Sequence, residues 1–297
     1  MVKELTPADI DFIGIGAAKS GTTWLHKMLL QHPQVYLPGP KELHYFNRKF
    51  TENPQLDNYN YDKPVSWYLS FFRSAVAGQI LGEICPTYLW DEAAASRIHQ
   101  FNPQVKLFVI LRQPVERLYS YYLFLVQRGS LVGTSFSQAL QRRHDLLARG
   151  NYYTHLSRFL TLFPAERLKV MLYDDLMTDS SKFLTRIEEY LEIDTFIPHD
   201  IDSRDNITGA PRFQRLNHLL FRMRLFLRDN RLNWVLDLLR KSGLAYTLEQ
   251  WRTRSAVPYE EKPLMDEGIK TELMVYYHNE IDKLEELIQR DLSAWKK

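Results

Sequence analysis

The sequence predicts an α/β fold: a mostly parallel central sheet flanked by helices, with a helical C-terminal part. Three observations predict it. Short apolar runs at 11–16, 80–84, 106–111 and 168–173 have the length and composition of buried strands. Amphipathic stretches lie between them, and strands alternating with helices build a parallel sheet covered on both faces. From about residue 204 the strand-like runs cease and the pattern becomes mainly helical. A length of 297 residues suits one such domain, so residues 1–297 are read as a single domain with a basic, helical C-terminal part.

Asp11-Phe-Ile-Gly-Ile-Gly16 reads as the first strand, running into a glycine-bearing turn. Thr22 to Gln31 follows as a helix with Leu25, Met28 and Leu29 on one face. Asn47 to Phe72, rich in Tyr, Asn and Pro, reads as an ordered excursion. Its Tyr59, Tyr61, Trp67, Tyr68, Phe71 and Phe72 form either the wall of a binding site or part of the core. Strands are expected at Ile80–Ile84, Lys106–Leu111 and Leu168–Tyr173, and helices at 91–101, 114–127 and 153–162. Between Arg204 and Arg254 eleven basic side chains face four acidic ones, while Leu216, Leu219, Leu220, Met223, Phe226 and Leu227 recur at helical spacing. This region is either a packed helix with a solvated basic face or a surface for an acidic partner.

Hydrophobic residues at 45% and charged residues at 25% exclude a disordered or fibrous chain. One cysteine, Cys85, excludes an internal disulfide. The opening MVKELTPADIDF lacks a basic stretch followed by an apolar one, so no secretion signal is expected. In the first half the longest purely apolar run is Leu107 to Leu111, far short of a membrane span. The expectation is a cytoplasmic protein. A formal net charge of +2 gives no general attraction to nucleic acid, and the basic residues form no broad stripe.

Gly14-Ile-Gly-Ala-Ala-Lys-Ser-Gly-Thr-Thr-Trp24 links the first strand to the first helix. Small residues let backbone N–H groups reach an anion, the helix N-terminus adds partial positive charge, and Lys19, Thr22 and Thr23 add a cation and hydroxyl donors. Gly16 and Gly21 have the Walker A separation, but Thr22 stands where its Lys would be and Lys19 comes earlier. The strand 106–111 ends in Arg112 rather than in a metal-binding Asp. Acid replaced by base favours a second anion site over a metal site.

On these residues the chain resembles the sulfotransferases that use 3′-phosphoadenosine 5′-phosphosulfate (PAPS). Lys19-Ser-Gly-Thr-Thr-Trp24 is similar to their 5′-phosphosulfate loop. Leu107-Phe-Val-Ile-Leu-Arg-Gln-Pro-Val-Glu-Arg-Leu-Tyr-Ser120 is similar to their 3′-phosphate motif, which makes Arg112 and Ser120 the expected 3′-phosphate ligands. Lys41 to Phe46, Gly150 to His155 and Tyr173 to Leu176 extend the likeness over roughly the first 180 residues, and Asp291-Leu-Ser-Ala-Trp295 resembles bacterial members. The implied fold is like that of P-loop kinases, and the implied reaction is sulfuryl transfer to a hydroxyl without a metal.

The resemblance implies roles. Ser20, Gly21, Thr22 and Thr23 would hold the 5′-phosphate, Lys19 the leaving oxygen, and Trp24 would lie beside the adenine. Glu42, in Lys41-Glu-Leu-His-Tyr-Phe46, aligns with the catalytic Glu of glycosaminoglycan sulfotransferases; burial beside Tyr45 and Phe46 would raise its pKa. His44, two residues on, would share its face on a strand, as orienting partner or as substitute base. His155 resembles an acceptor-facing His of N-sulfotransferases, or is a packed helix His. Tyr173 is either an adenine contact or plain core. Arg212 is a candidate second ligand for the 3′-phosphate.

Glycan-modifying relatives carry a Lys after the Glu of their third-strand motif, whereas Glu83-Ile-Cys-Pro-Thr-Tyr88 offers Ile84 or Cys85 there. One cysteine also excludes the disulfide hairpin of the Golgi enzymes. Polyketide-pathway relatives sulfate a β-hydroxyl on an acyl chain held by an acyl carrier protein, and the basic late region and aromatic 67–72 stretch suit such an acceptor. A glycan, a lipid or a small phenol or alcohol remains the alternative acceptor. Outside the family stand a nucleotide kinase and a nucleotide-binding module without turnover.

Overall fold

The computed structural model describes residues 4–49, 57–203, 209–210, 214–230, 232, 235, 257–258 and 263–297. Strands β1 (Phe12–Gly16), β2 (Val35–Tyr36), β3 (Ile80–Ile84), β4 (Lys106–Leu111) and β5 (Leu168–Leu172) form one parallel sheet in the order β2-β3-β1-β4-β5. All five residues of β1 and the last five of β4 are buried, which is why they read as unbroken apolar runs instead of alternating ones. The chain leaves β1 toward β3 and β2 on one side, then returns past it to β4 and β5. This reversal beside β1 is where open α/β sheets bind ligands, beyond the carboxyl ends of the strands.

Helix α1 (Thr22–Gln31) covers one face together with α9 (Ser180–Leu191), which follows the short α8 (Tyr173–Thr178). Trp24, Leu25, Met28 and Leu29 pack there with Phe183, Leu184 and Ile187 against Phe12, Phe108 and Ile110. Each such side chain contributes on the order of 2 kcal/mol by leaving water. A second, aromatic cluster joins Tyr45, Phe46, Tyr68 and Tyr88 to Phe101 of α3 (Ala94–Phe101), with centroids 4.8 Å apart for Tyr45–Tyr68 and 5.2 Å for Phe46–Phe101. Tyr68, on α2 (Val65–Leu69), and Phe72 are fully buried, so of the two readings of the aromatic stretch these residues follow the core one.

Two expectations are corrected locally. Tyr173 does not end β5 but opens α8, because the backbone leaves the sheet after Leu172. Lys41 to Phe46 is not a strand: its backbone groups bond to side chains, and Glu42 (φ 66°) and His44 (φ 52°) are left-handed. The two-residue β2 carried too short a pattern to be read.

The chain packs as two compact units, 1–117 with 148–205 and 274–297, and 118–147 with 206–273. Helices α4 (Pro114–Gln127) and α6 (His144–Ala148) contribute residues to both, whereas α7 (Tyr152–Leu160) belongs to the first and α5 (Phe136–Arg142) to the second. In the second unit Gly129, at φ 86°, lets the end of α4 approach Asn217 on α10 (Gln214–Asp229) so closely that a Cβ would lie 2.6 Å from its carbonyl carbon. On α10, Leu216, Leu219, Met223 and Phe226 are 40–63% exposed. These four are open to solvent, while Leu220 and Leu227 are half-buried. The first unit ends with α11 (Glu267–Ile288, from residue 274 on) and a 3-10 turn at Ser293–Lys296. No described helix is long and apolar enough to cross a membrane.

Candidate active site

The loop after β1 has the features an anion site needs. Gly21 caps α1 at φ 89°, and a Cβ there would lie 2.7 Å from Leu176 Cδ2 and 3.4 Å from Tyr173 Cδ2, so only glycine lets the helix begin at Thr22. Lys19 is also left-handed, at φ 69°. Ser20 is fully buried and its hydroxyl has no protein partner; Thr22 is buried and Thr23 half-buried. A buried hydroxyl without a partner costs about 1–3 kcal/mol, which a bound oxyanion at this helix N-terminus recovers. These residues fit a phosphate or sulfate group.

Arg112 follows β4 directly and turns toward this loop. Its Nη1 donates to the Lys19 carbonyl at 3.5 Å, its Nη2 lies 3.4 Å from Glu116, and its guanidinium carbon sits 4.9 Å from the Tyr173 ring centroid. The Tyr152 hydroxyl fixes the Arg112 carbonyl at 2.9 Å. The chain's last residues brace the same strand ends: Trp295 Nε1 donates to Asp174 at 3.0 Å, and Gln113 Nε2 donates to the Trp295 carbonyl at 3.2 Å. Lys19, Gly21, Arg112 and Tyr173, distant in sequence, therefore meet beyond β1, β4 and β5. Ser120 is buried on α4 within the second unit.

The Glu42 segment lies beyond β3. Glu42 pairs with Lys41 Nζ at 2.7 Å, and His44 Nε2 stands 3.5 Å from its second oxygen. The His44 Nδ1 faces Asn47 Oδ1 at 3.3 Å and Cys85 Sγ at 3.4 Å, which turns the other ring nitrogen to the carboxylate. The predicted proximity of Glu42 and His44 thus holds without the predicted strand. The expected burial of Glu42 does not: Tyr45 and Phe46 point into the core while the Glu42 side chain stays 35% exposed. His26, on α1, feels the charges of this segment: burial first, then the Lys41 charge, push its pKa down to about 4.

The buried carboxylate belongs instead to Glu83, 1% exposed on β3, where burial raises its pKa to about 7 against the lowering effect of hydrogen bonds such as that from Tyr88. Sequence reasoning named Glu83 only as the acid of the third-strand motif and gave it no role, although a lone carboxylate inside Ile80-Leu-Gly-Glu-Ile84 was the signal. It also missed Arg97, whose guanidinium lies 4.4 Å from the Tyr45 ring centroid and 4.1 Å from that of Tyr61.

Two further candidates are buried. His155 on α7 is 6% exposed; its Nε2 donates to the Ala148 carbonyl at 2.8 Å and its Nδ1 meets Arg158. Burial, then the Arg158 charge, push its pKa down to about 3, as for a packed neutral histidine. Trp24 is 7% exposed in the core, and its Nε1 donates to the Ile201 carbonyl at 2.8 Å, so the indole serves packing instead of an open adenine face. Arg212 lies outside the described residues. Among those described, no group of three or more His, Cys, Asp and Glu is placed to hold a metal ion.

An anion loop after the first strand, and an arginine where a metal-binding acid would end β4, define a group-transfer fold of the P-loop type. The chain belongs to the sulfotransferase family, whose domain model matches residues 9–208. It is 29% identical over 203 residues to the human bifunctional heparan sulfate N-deacetylase/N-sulfotransferase 2, a match covering 63% of this chain and 22% of that one. It is 30% identical over 186 residues to the mouse heparan sulfate glucosamine 3-O-sulfotransferase 6, covering 60% of this chain and 50% of that one. The chain thus spans between about a fifth and a half of the length of these relatives. Its fold matches a sulfotransferase from Alicyclobacillus acidocaldarius with a TM-score of 0.69 at 22% identity, covering 97% of this chain and 99% of that one.

Proposed function

We propose that the chain transfers a sulfuryl group from PAPS to an acceptor hydroxyl. The observation that carries this reading is the meeting of Lys19, Gly21, Arg112 and Tyr173 at the carboxyl ends of the strands, with the Glu42–His44 pair beyond the neighbouring β3. PAPS, when bound, supplies an activated sulfuryl group whose leaving oxygen belongs to a phosphate. The backbone and hydroxyls of Ser20 to Thr23 hold that phosphate, and Lys19 faces the charge that develops on the leaving oxygen. Arg112 binds the 3′-phosphate, and Tyr173 borders the nucleoside. Glu42 takes the proton from the acceptor hydroxyl, and His44 orients it or stands in for it. The 3-O-sulfotransferase relatives support an oxygen acceptor.

The test is transfer of labelled sulfuryl from PAPS to a β-hydroxyacyl carrier protein, its free acid, a heparan-type oligosaccharide and a simple phenol. Label in a hydroxyl acceptor bears the reading out. Transfer only to an unsubstituted glucosamine amine would replace the hydroxyl by nitrogen. An ATP preference with Mg²⁺ dependence would point to a kinase, and nucleotide binding with no turnover to a binding module.

One observation favours a carrier-borne acyl acceptor over a free glycan: α10 exposes Leu219, Met223 and Phe226 beside the exposed Arg222, an apolar and basic surface suited to an acidic carrier protein. Preference for the carrier-bound acyl chain over its free acid, lost in Arg222→Glu with Phe226→Ala, supports it. Efficient sulfation of the oligosaccharide alone ends it.

A further inference from the structure

The segment that carries Glu42 and His44 has no sheet to hold it. Five of the backbone groups between Leu43 and Asn47 are satisfied by buried side chains. The Leu43 N–H donates to Glu83 Oε2 at 3.3 Å, and the Tyr45 N–H donates to the Tyr88 hydroxyl at 3.0 Å, which in turn donates to Glu83 Oε1 at 2.9 Å. On the carbonyl side, Asn60 Nδ2 donates to Leu43 at 2.7 Å, and Asn58 Nδ2 donates to His44 and, at 2.7 Å, to Asn47. Asn58, Asn60, Glu83 and Tyr88 are all at most 4% exposed.

We propose that Glu83 is the positioning residue of this site: its two carboxylate oxygens, one directly and one through Tyr88, grip the amides on either side of His44 and so keep Glu42 and His44 facing each other. The carboxylate also lies against the buried Tyr68 hydroxyl, and at this depth it carries a desolvation cost that an apolar residue would not. What the carboxylate adds is two acceptors, aimed at a chain segment with two left-handed residues that would otherwise relax toward ordinary conformations. A glutamine cannot replace it. If its oxygen accepts from Leu43, its NH2 must face the Tyr88 hydroxyl, which then loses the acceptor for its own proton.

This inference rests on the reading of Glu42 as the base, and the experiment separates the two. Glu83→Gln and Tyr88→Phe are made alone and together with Glu42→Gln. Turnover is read with labelled PAPS and whichever of the carrier-bound acyl chain or the oligosaccharide is sulfated. Affinity for adenosine 3′,5′-bisphosphate is read by calorimetry, and folding by thermal melting. In the otherwise unaltered chain each substitution should lower kcat by about 10²-fold, as expected when a reacting group loses its alignment. Nucleotide affinity should stay within about twofold, and in the Glu42→Gln background the further change in kcat should be about twofold or less, because the clamp then has no base to aim. Unchanged kcat in the folded variants overturns the proposal, and so do losses that multiply fully with that of Glu42→Gln. Should Glu83→Gln fail to fold, Tyr88→Phe decides, since it keeps the ring against Phe46 and removes only the hydroxyl. Full activity of Glu42→Gln tells against the base assignment alone; the same comparison against His44→Ala then tests the clamp.

Discussion

The guanidinium of Arg112 lies 4.9 Å from the ring centroid of Tyr173, across the parallel pair β4 and β5 and beside the glycine that caps α1. The stacking holds a cation whose contacts are long, 3.5 Å from Nη1 to the Lys19 carbonyl and 3.4 Å from Nη2 to Glu116, so the guanidinium stays turned toward the loop.

Adenosine 3′,5′-bisphosphate should therefore bind far more tightly than AMP. Arg112→Ala should remove most of the difference, about 1.5–3 kcal/mol for a charge-assisted pair, as measured by calorimetry with both nucleotides. Equal affinity of the two nucleotides for the unaltered chain would remove the 3′-phosphate site.

Glu42→Gln keeps shape and removes the proton acceptor, so kcat should fall by about 10²–10⁴-fold with nucleotide affinity little changed. The 3.5 Å approach of His44 to Glu42 makes His44→Ala the informative companion. An inactive His44→Ala beside an active Glu42→Gln would transfer the role of base to the histidine.

His155 should make stability fall with acidity. Its folded pKa, about 3, lies below the ordinary 6.5, so the unfolded chain binds more protons between these values. The stabilising contribution is fully present above about pH 6.5 and is lost as the pH falls toward 3, by up to about 1.4 kcal/mol per pH unit. Glu83, raised to about 7, acts in the opposite sense between its ordinary 4.5 and 7, favouring the fold on the acid side. Subtracting the melting curve of His155→Gln from that of the unaltered chain isolates the histidine. The gap should change between pH 6.5 and 4; parallel melting temperatures throughout would show that His155 titrates normally.

Trp295 should matter beyond the terminus it occupies. It is 3% exposed and bonds to Asp174 and Gln113, the neighbours of Tyr173 and Arg112. Trp295→Ala should cost about 3 kcal/mol or more of stability. It should also weaken adenosine 3′,5′-bisphosphate binding measured well below the melting temperature. Unchanged affinity would confine the residue to packing.

The sequence by itself determined the four longer strands, the start of α1 and the bounds of α4, because buried parallel strands and a helix opened by glycine or proline leave local signatures: unbroken apolar runs and a residue type that only one backbone conformation tolerates. It also picked out the loop at 16–24 and Arg112, whose proposed chemistry rests on adjacency along the chain. Only the tertiary structure decided the strand order, the pairing of Arg112 with Tyr173, and which carboxylate is buried. Local pattern placed Glu42 beside two aromatic residues and inferred burial from that neighbourhood. In the fold the left-handed backbone at Glu42 and His44 turns those rings inward and leaves the carboxylate outside, while Glu83, 41 positions away, comes to lie beneath it. That left-handed path is stable because Asn58, Asn60, Glu83 and Tyr88 satisfy the backbone groups a strand would have paired, and partners so far apart in the chain have no common period to read.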